Sequence, residues 1–262
     1  MVRLTFASSE LEAVREQITD FIVSQHDAAG ANGAVIGLSG GIDSSLVATL
    51  AVEALGPDRV HGLSLPADVS APRHRDDAVA LAEDLGMDCD VIDVEPIVET
   101  LVAAAPVAVD ERARGNARAR VRAVLNYLVS NAAGGRLVLG TGNRSEALVG
   151  YFTKFGDGAV DCHPIGNLYK CQVRQLARHV GVPVDIVEKT PTAELWEDHT
   201  DEDELGLSYD TLDAVLALHV DGPLSAAATA ETIGCGPDVV AHVDGLVAAS
   251  AHKRTMPPAP DP

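Results

Sequence analysis

A glycine- and serine-rich segment, residues 37–45 with the sequence GLSGGIDSS, lies between a short apolar run and a helical pattern. The apolar run at residues 33–38 predicts a buried strand, and residues 44–55 have the periodicity of a helix that ends at Gly56. Backbone N–H groups at such a junction, together with the dipole of the helix, bind phosphate oxygens. The segment therefore predicts an anion-binding loop at the carboxyl end of a strand.

The residue types in this loop narrow its chemistry. Its two adjacent glycines let the backbone approach an anion closely, and its three serines supply hydroxyl donors. An acidic residue beside phosphate, Asp43, indicates a bound cation such as Mg²⁺. The loop lacks the GK[ST] ending of the Walker A motif, which argues against a kinase or GTPase of that class. The alternative is a simple turn in which Asp43 caps the helix.

Strand and helix patterns alternate along the first part of the chain. In order, they are helix 9–28, strand 33–38, helix 44–55, strand 59–65, helix 74–85, strand 88–94, helix 111–133 and strand 136–139. Such alternation predicts an α/β fold with an open, doubly wound parallel sheet and helices on both of its faces. Ligands bind at the carboxyl ends of the strands in sheets of this kind.

The chain beyond residue 140 has a different pattern. It predicts helices at residues 170–180, 208–219, 224–233 and 237–252. We therefore expect a helical C-terminal part within a single domain that spans residues 1–262. Six acidic residues between positions 197 and 204 favour a solvated loop or mobile lid over residues 194–206. The proline-rich residues 255–262 predict a disordered tail.

The net charge is strongly negative. With 19 Lys+Arg against 39 Asp+Glu the formal charge is −20, which disfavours binding to nucleic acid. Four of the 19 basic residues are lysine, and abundant acid with scarce lysine indicates a surface adapted to high salt. The alternative is an ordinary acidic protein. Hydrophobic residues make up 47% of the chain, which is enough to build a packed core.

The sequence gives no indication of an extracellular or membrane location. The four cysteines form no CxxC pair, which argues against a zinc site or a disulfide framework. The first residues lack the pattern of a secretory signal, and no apolar stretch approaches the roughly 20 residues that span a bilayer. We therefore expect a cytoplasmic protein without a membrane partner.

Several strings of the sequence match a known family in order and spacing. SGGIDSS at residues 39–45 resembles the pyrophosphate-binding signature of the N-type ATP pyrophosphatases. Further strings are similar to those of the ammonia-dependent NAD⁺ synthetase family: GNARARVR at 115–122, LVLGTGNRSEALVGYFTKFGDGAVD at 137–161, EKTPTAELW at 188–196, DEDELGLSYD at 201–210 and HKR at 252–254. The resemblance covers nearly the whole chain.

This resemblance implies an adenine nucleotide alpha hydrolase-like fold and a two-step reaction. The carboxylate of nicotinic acid adenine dinucleotide (deamido-NAD⁺) attacks the α-phosphate of ATP, which gives an acyl adenylate and pyrophosphate. Ammonia then displaces AMP and leaves the amide of NAD⁺. Members of the family are homodimers, and we expect the dimer contact on helix 111–133. The apolar side chains of that contact would be Val121, Val124, Leu125 and Leu128, with burial inside the monomer as the alternative.

The resemblance also implies roles for individual residues. Asp43 and Glu146 would ligate Mg²⁺, and Asp43 and Lys170 would act in catalysis. The expected ATP-binding residues are Gly37, Leu38, Ser39, Gly40, Gly41, Ile42, Asp43, Ser44, Thr141, Lys170 and Thr192. The expected deamido-NAD⁺-binding residues are Arg120, Lys154, Asp161, His252 and Lys253.

The chain departs from the family pattern in two places. Bacterial members commonly have an arginine where this chain has Ser64, and Arg73 or Arg75 could replace it. Glutamine-using relatives carry an N-terminal amidase domain, whereas 38 residues precede Ser39 here, so we expect free ammonia as the nitrogen donor.

Two other functions are compatible with the binding loop. One is another N-type ATP pyrophosphatase ligase, such as a GMP-forming or a tRNA-modifying enzyme, although the acidic charge disfavours tRNA. The other is a module that senses ATP without chemistry, which has no need of the residues expected to bind a second substrate.

Overall fold

The computed structural model describes residues 4–192 and 200–260. In this part of the chain four parallel strands form one sheet in the order β3–β2–β1–β4. The strands are β1 (Ala34–Gly37), β2 (Val60–Ser64), β3 (Asp88–Val91) and β4 (Leu137–Leu139). Each strand lies within a run that the sequence predicts, and the prediction of a parallel α/β sheet is confirmed.

Helices flank the sheet and make up the C-terminal part of the chain. The described α-helices are α1 (Ser8–Ala29), α2 (Ile42–Leu55), α3 (Pro72–Leu85), α4 (Glu95–Ala104), α5 (Glu111–Ala132), α6 (Arg144–Val149), α7 (Lys170–His179), α8 (Val184–Val187), α9 (Asp201–Leu205), α10 (Tyr209–Val215), α11 (Ala226–Ile233) and α12 (Pro237–Ala249). A π-helical turn, Leu216–Val220, continues α10.

The sheet is covered on both faces because successive side chains of a strand point in opposite directions. On β1, Val35 packs into a core with Val98 of α4 and Val121 of α5. Its neighbour Ile36 belongs to a separate core on the other face, which includes Leu46 of α2 and side chains of α1, α3 and α7. The doubly wound arrangement expected from the sequence is therefore confirmed.

The strand order places the ligand crevice between β1 and β4. The chain runs outward from β1 through β2 to β3 and then returns to the other side of β1 to form β4. In open α/β sheets the loops that leave two such strands diverge, and the gap between them receives the ligand. The loop after β1 is the predicted anion-binding loop, and the loop after β4 leads into α6.

A third core holds the C-terminal helices together. Its buried members come mainly from α10, the π-helical turn and α12, and they include Tyr209, Leu212, Leu216, Val240 and Val243. Asp213 of α10 connects this core to the sheet domain, because its carboxylate accepts hydrogen bonds from the Cys171 amide at 2.8 Å and from the Ser145 hydroxyl. The start of α7 and the start of α6 are thereby fixed to the same helix.

The acidic stretch differs from the sequence prediction. Residues 201–205 form helix α9, so the prediction of a solvated loop or lid is wrong for this part of 194–206. Asp201 is buried and accepts hydrogen bonds at 3.0 Å from the hydroxyls of Tyr151 and Tyr209, and Leu205 packs into the C-terminal core. Residues 194–199 of the predicted lid lie outside the described residues. Residues 255–260 of the predicted tail form neither helix nor strand.

Helix α4 was not predicted from the sequence, because Pro96 argues against a helix. In the structure Pro96 lies in the first turn of α4, where proline is tolerated. Across residues 4–192 and 200–260, none of the helices combines the length and the apolarity that a bilayer span requires.

The charge of −20 predicts that folding depends on salt. Repulsion among the carboxylates acts over a Debye length of about 10 Å at 0.1 M salt and is screened within about 3 Å at 1 M. We expect the melting temperature to fall when KCl is lowered from molar concentration to about 0.1 M, by about 2–4 °C for each kcal/mol of lost stability. Calorimetry checks this, and a melting temperature that stays constant or rises at low KCl would contradict adaptation to salt.

Candidate active site

The anion-binding loop is held in shape by its own hydroxyls and by one lysine. The Ser44 hydroxyl accepts a hydrogen bond from the Ser39 amide at 3.2 Å, and the Ser39 and Ser44 hydroxyls lie 3.1 Å apart. Lys189 donates to the Gly40 carbonyl at 2.8 Å and forms an ion pair with Asp77 of α3. Lys189 therefore connects the loop to α3. Its position in the sequence, directly before Thr190, did not predict this contact.

Gly40 is required by the shape of the loop. Its φ of +72° lies in the left-handed region, and a Cβ at this position would overlap the backbone carbonyl of His74. The backbone of α3 therefore approaches the loop as closely as a glycine permits. The next residue, Gly41, is the N-cap of α2, so this contact lies directly before the start of that helix.

We expect Gly40→Ala to lower the free energy of unfolding by about 1–3 kcal/mol and to weaken ATP binding at least about tenfold. Denaturant unfolding and ATP titration measure the two effects. Gly30→Ala is the matched control, because Gly30 has a φ of +59° but nothing within 4 Å of its Cβ direction. Equal effects of the two substitutions on ATP affinity would show that strain alone matters.

Three charged residues meet at the carboxyl end of the sheet: one follows β1, one follows β4 and one begins α7. Lys170, the first residue of α7, is 2% exposed. Its Nζ lies 2.5 Å from Asp43 Oδ2 and 3.0 Å from Glu146 Oε1. Asn143 caps α6 by accepting the Glu146 amide at 3.0 Å, and its side-chain amide donates to Asp43 Oδ1 at 2.9 Å. The structure therefore assembles Asp43, Glu146 and Lys170 at the predicted crevice.

Charge and burial determine the protonation of this cluster. Burial raises the pKa of Glu146 to about 7, with Lys170 opposing the shift and Asp43 adding to it. Burial works against the charge of Lys170, but Asp43 and Glu146 outweigh it and hold the pKa of Lys170 well above its usual value. Burial and the nearby carboxylates also raise the pKa of Tyr209, whose protonated hydroxyl donates to Asp201. The cluster carries more acid than one ammonium neutralises.

This excess of negative charge suits a hard cation. Carboxylate oxygens are the ligands that Mg²⁺ prefers, and it usually takes one or two of them together with water and phosphate. The hydrogen bonds that the Glu146 carboxylate receives within residues 4–192 and 200–260 go to Oε1, which leaves Oε2 for a ligand. No group of three or more His, Cys, Asp or Glu side chains in those same ranges is arranged for metal binding. The residues fit a cation shared with phosphates rather than a closed metal cage.

Two further threonines are expected to contact ATP. Thr141 follows β4 between two glycines, and a Cβ at Gly140 would lie 2.5 Å from His163 Nδ1. This close packing holds the loop after β4 against His163. Thr192 is half-buried and precedes residues outside the described ranges.

The residues expected to bind the dinucleotide form a second cluster beside α5. Arg120 of α5 donates to the Lys154 carbonyl at 3.3 Å, and Lys154 Nζ donates to the His252 carbonyl at 2.7 Å. Lys253 Nζ donates to the carbonyls of Gly150 at 2.6 Å and Phe152 at 2.7 Å. The structure therefore brings four of the five predicted residues together, with Lys253 holding backbone in this arrangement.

The residues that follow α12 clasp the end of α6. Arg254 donates to the Leu148 carbonyl at 2.6 Å, and Lys253 reaches the next residues of the same turn. Cations at a helix C-terminus satisfy its free carbonyls and interact favourably with its dipole. We call residues 252–254 the C-terminal clasp. It fixes the helix that carries Glu146.

Asp161, the fifth predicted residue, is used within the chain. Its carboxylate accepts the Val138 amide at 2.8 Å and the Tyr127 hydroxyl at 2.9 Å, so it joins β4 to α5. Burial and the Asp161 charge raise the pKa of Tyr127, which keeps the phenol protonated as the donor.

Another arginine reaches the end of β2, where the family pattern has a cation and this chain has Ser64. Arg122 Nε of α5 donates to the Leu65 carbonyl at 2.8 Å. Arg75 is instead exposed and pairs with its neighbour Asp76. Arg122 lies one helical turn after Arg118 on the same face of α5.

Three comparisons relate the chain to known proteins. The family model described as NAD synthase matches residues 14–257. An NH(3)-dependent NAD(+) synthetase from Halobacterium salinarum is 57% identical over 258 residues, which is 98% of this chain and 96% of that protein.

Among solved structures, NMN synthetase from Francisella tularensis has a TM-score of 0.85 and 34% identity, and the match covers 98% of this chain and 100% of that one. NH3-dependent NAD synthetase from Campylobacter jejuni, solved with a nitrate ion, has a TM-score of 0.80 and 29% identity over 96% of this chain and 99% of that one.

Proposed function

The chain belongs to the NAD synthase family, and we propose that it uses ATP to amidate deamido-NAD⁺ with ammonia, forming NAD⁺, AMP and pyrophosphate. The observation that carries this proposal is the Asp43–Lys170–Glu146 cluster beside the anion-binding loop, at the switch point of the sheet. The identity of 57% to an NH(3)-dependent NAD(+) synthetase supports the choice of reaction.

In the first step, the carboxylate of deamido-NAD⁺ attacks the α-phosphate of ATP and pyrophosphate leaves. Residues 37–44 hold the phosphates with backbone amides and hydroxyls, and Thr141 and Thr192 add contacts to ATP. Lys170 uses two of its three N–H donors on Asp43 and Glu146, so one donor is left for a phosphate oxygen. Its charge stabilises the negative charge that develops on pyrophosphate.

Asp43 and Glu146 are the residues that would hold Mg²⁺, which when bound supplies positive charge to the phosphates of ATP. Arg120, Lys154, His252 and Lys253 bind deamido-NAD⁺, and the charges of the arginine and the two lysines suit its pyrophosphate. In the second step, ammonia attacks the acyl carbon, AMP leaves with the bonding electron pair of the acyl C–O bond, and the nitrogen releases one proton to solvent. Positioning and charge neutralisation supply the catalysis, and no covalent enzyme intermediate is needed.

Measurement of AMP release tests the proposal. We expect AMP from ATP only when both deamido-NAD⁺ and ammonia are present, in a one-to-one ratio with NAD⁺. Absence of AMP with deamido-NAD⁺ but release with another carboxylate would indicate a different ligase. Absence of AMP with every carboxylate, despite ATP binding, would indicate a sensor.

The resemblance to an NMN synthetase defines a second candidate substrate, nicotinic acid mononucleotide. It carries the same reacting carboxylate without the second nucleotide. We expect kcat/KM to be higher for the dinucleotide, because the relative with 57% identity is an NAD(+) synthetase. A higher kcat/KM for the mononucleotide would reassign the substrate.

We also propose a homodimer that forms through the outer face of α4 and α5. Val124 and Leu128 of α5 are 66% and 60% exposed, and Leu101 of α4 is also an exposed apolar side chain. Of the other two residues of the expected contact, Val121 is buried in the core beside the sheet and Leu125 is partly buried against the same core. Leu128→Glu should convert the dimer to a monomer in sedimentation experiments.

A further inference from the structure

Phe155 has an unusual backbone conformation. Among residues 4–192 and 200–260 it is the one residue other than glycine with a positive φ, at +61°. A bulky side chain in this left-handed region is strained. Strain of this kind persists only when the surrounding structure enforces it, and it is concentrated at functional sites.

The surrounding loop enforces this conformation. The Asp157 carboxylate accepts the Thr153 amide at 2.9 Å, and the Thr153 hydroxyl donates to Asn116 of α5 at 2.9 Å. Gly156 lies against Thr153 and α5, and a Cβ at Gly158 would lie 2.7 Å from the ring of Phe152. The turn is therefore closed on both sides of Phe155 and cannot relax.

The strained residue gains little packing in return. Its side chain is 61% exposed, whereas phenylalanine in a folded chain normally buries most of its ring. The Lys154 ammonium lies 5.3 Å from the centroid of the ring. The loop therefore presents an aromatic face to solvent instead of to the core.

The position of the ring points to a ligand. Lys154 is the residue whose carbonyl accepts Arg120 and whose ammonium contacts the His252 carbonyl, so Phe155 adjoins the cationic cluster beside α5. A ligand whose phosphates bind these cations and whose flat ring covers Phe155 would satisfy both features. Stacking of bases on exposed aromatic rings is a common mode of nucleotide recognition.

We propose that Phe155 is a stacking platform for a heteroaromatic ring of the dinucleotide, a specificity-determining residue held in place by a strained loop. This inference rests on the proposed function for the identity of the substrate. The strain then has a purpose, because the loop holds the ring in position before the substrate arrives.

Phe155→Asn tests the proposal, since asparagine tolerates the left-handed conformation and removes the ring. We expect the KM for deamido-NAD⁺ to rise at least about tenfold, within the range for loss of one stacked base, while the KM for ATP changes less than about twofold. The melting temperature should equal or exceed that of the wild type, because strain is relieved. Phe155→Tyr, which keeps the ring, should retain the wild-type KM.

Val107→Asn is the matched control, because Val107 is also apolar and exposed but lies outside the loop. It should leave both KM values unchanged. A wild-type KM for deamido-NAD⁺ in Phe155→Asn would overturn the proposal. Two other results would also overturn it. Weaker binding together with a lower melting temperature would show that Phe155 has a structural role. A change in oligomeric mass with no change in KM would show that the ring contacts a second copy of the chain.

Calorimetric binding of deamido-NAD⁺ without ATP separates this inference from the proposed reaction. If the wild type binds the dinucleotide but releases no AMP, weaker binding by Phe155→Asn would still support stacking. Nicotinic acid mononucleotide identifies the ring. If the nicotinate ring stacks on Phe155, Phe155→Asn weakens binding of the mononucleotide by the same factor as binding of deamido-NAD⁺. If the adenine ring stacks, the substitution leaves binding of the mononucleotide unchanged.

Discussion

Replacing Lys170 by methionine is expected to lower kcat/KM by at least about a thousandfold. Removal of a single preorganised donor to developing charge typically costs 10²–10³ in rate, and this change also leaves Asp43 and Glu146 without their shared cation. Loss of one partner from a buried ion pair should in addition lower the free energy of unfolding by about 3–5 kcal/mol. Steady-state kinetics and denaturant unfolding measure the two effects separately.

Lys170→Arg is the informative companion variant because it keeps the charge. The ammonium is buried and lies 5.0 Å from the centroid of Tyr209, so the larger planar guanidinium cannot occupy the same point. We expect a loss in kcat/KM of at least about tenfold, or about 1.4 kcal/mol of transition-state stabilisation. Wild-type kinetics for both substrates would show that any cation serves at this position.

The second large effect is expected from Glu146→Gln. We expect activity at limiting Mg²⁺ to fall at least about a hundredfold, because the proposed metal site loses a charged ligand. Half-saturating Mg²⁺, measured by titration of the rate, should rise correspondingly. Asp43→Asn should have a similar effect on activity. Glu83→Gln, an exposed acid on α3, controls for the change in net charge.

The two metal-site variants should differ in stability. Burial raises the pKa of Glu146 above its unfolded value to about 7, so stability falls as pH rises from the unfolded pKa to about 7 and the loss is complete above it. Glutamine removes that loss, and Glu146→Gln should be at least as stable as the wild type at pH 8. Asp43→Asn should be less stable, since Lys170 then loses its 2.5 Å partner. Normal turnover of Glu146→Gln at limiting Mg²⁺ would show that the metal assignment is wrong.

The sequence predicted those parts of the fold that local pattern determines. β1 is a run of buried residues, and the glycines and serines that follow it form the binding loop, because periodicity and turn residues act within a few positions. Helix α9 was missed because its acidic composition predicts a solvent-exposed segment. Asp201 is instead buried, and its carboxylate accepts hydrogen bonds from two tyrosine hydroxyls outside this helix. Local composition carries no information about such distant partners.

The same distinction applies to the candidate site. Asp43 and Glu146 belong to separate strings and Lys170 lies between two further strings, so only the family resemblance indicated that the three residues act together. Lys189 and Arg122 contribute by reaching backbone carbonyls far away in sequence, at Gly40 and Leu65. Every residue has a backbone carbonyl, so a contact with one requires no particular residue type at the partner position. Composition and spacing therefore could not reveal either role.

The C-terminal clasp has a consequence for how the enzyme is made. The anion-binding loop and Lys189, which donates to its Gly40 carbonyl, are both synthesised before the clasp, and Lys253 follows its partner Gly150 by 103 positions. At about 5–20 residues per second, the interval between them is on the order of 5–20 s. During translation a nascent chain therefore has its nucleotide loop well before the helix that carries Glu146 is secured, and catalytic competence comes late in synthesis.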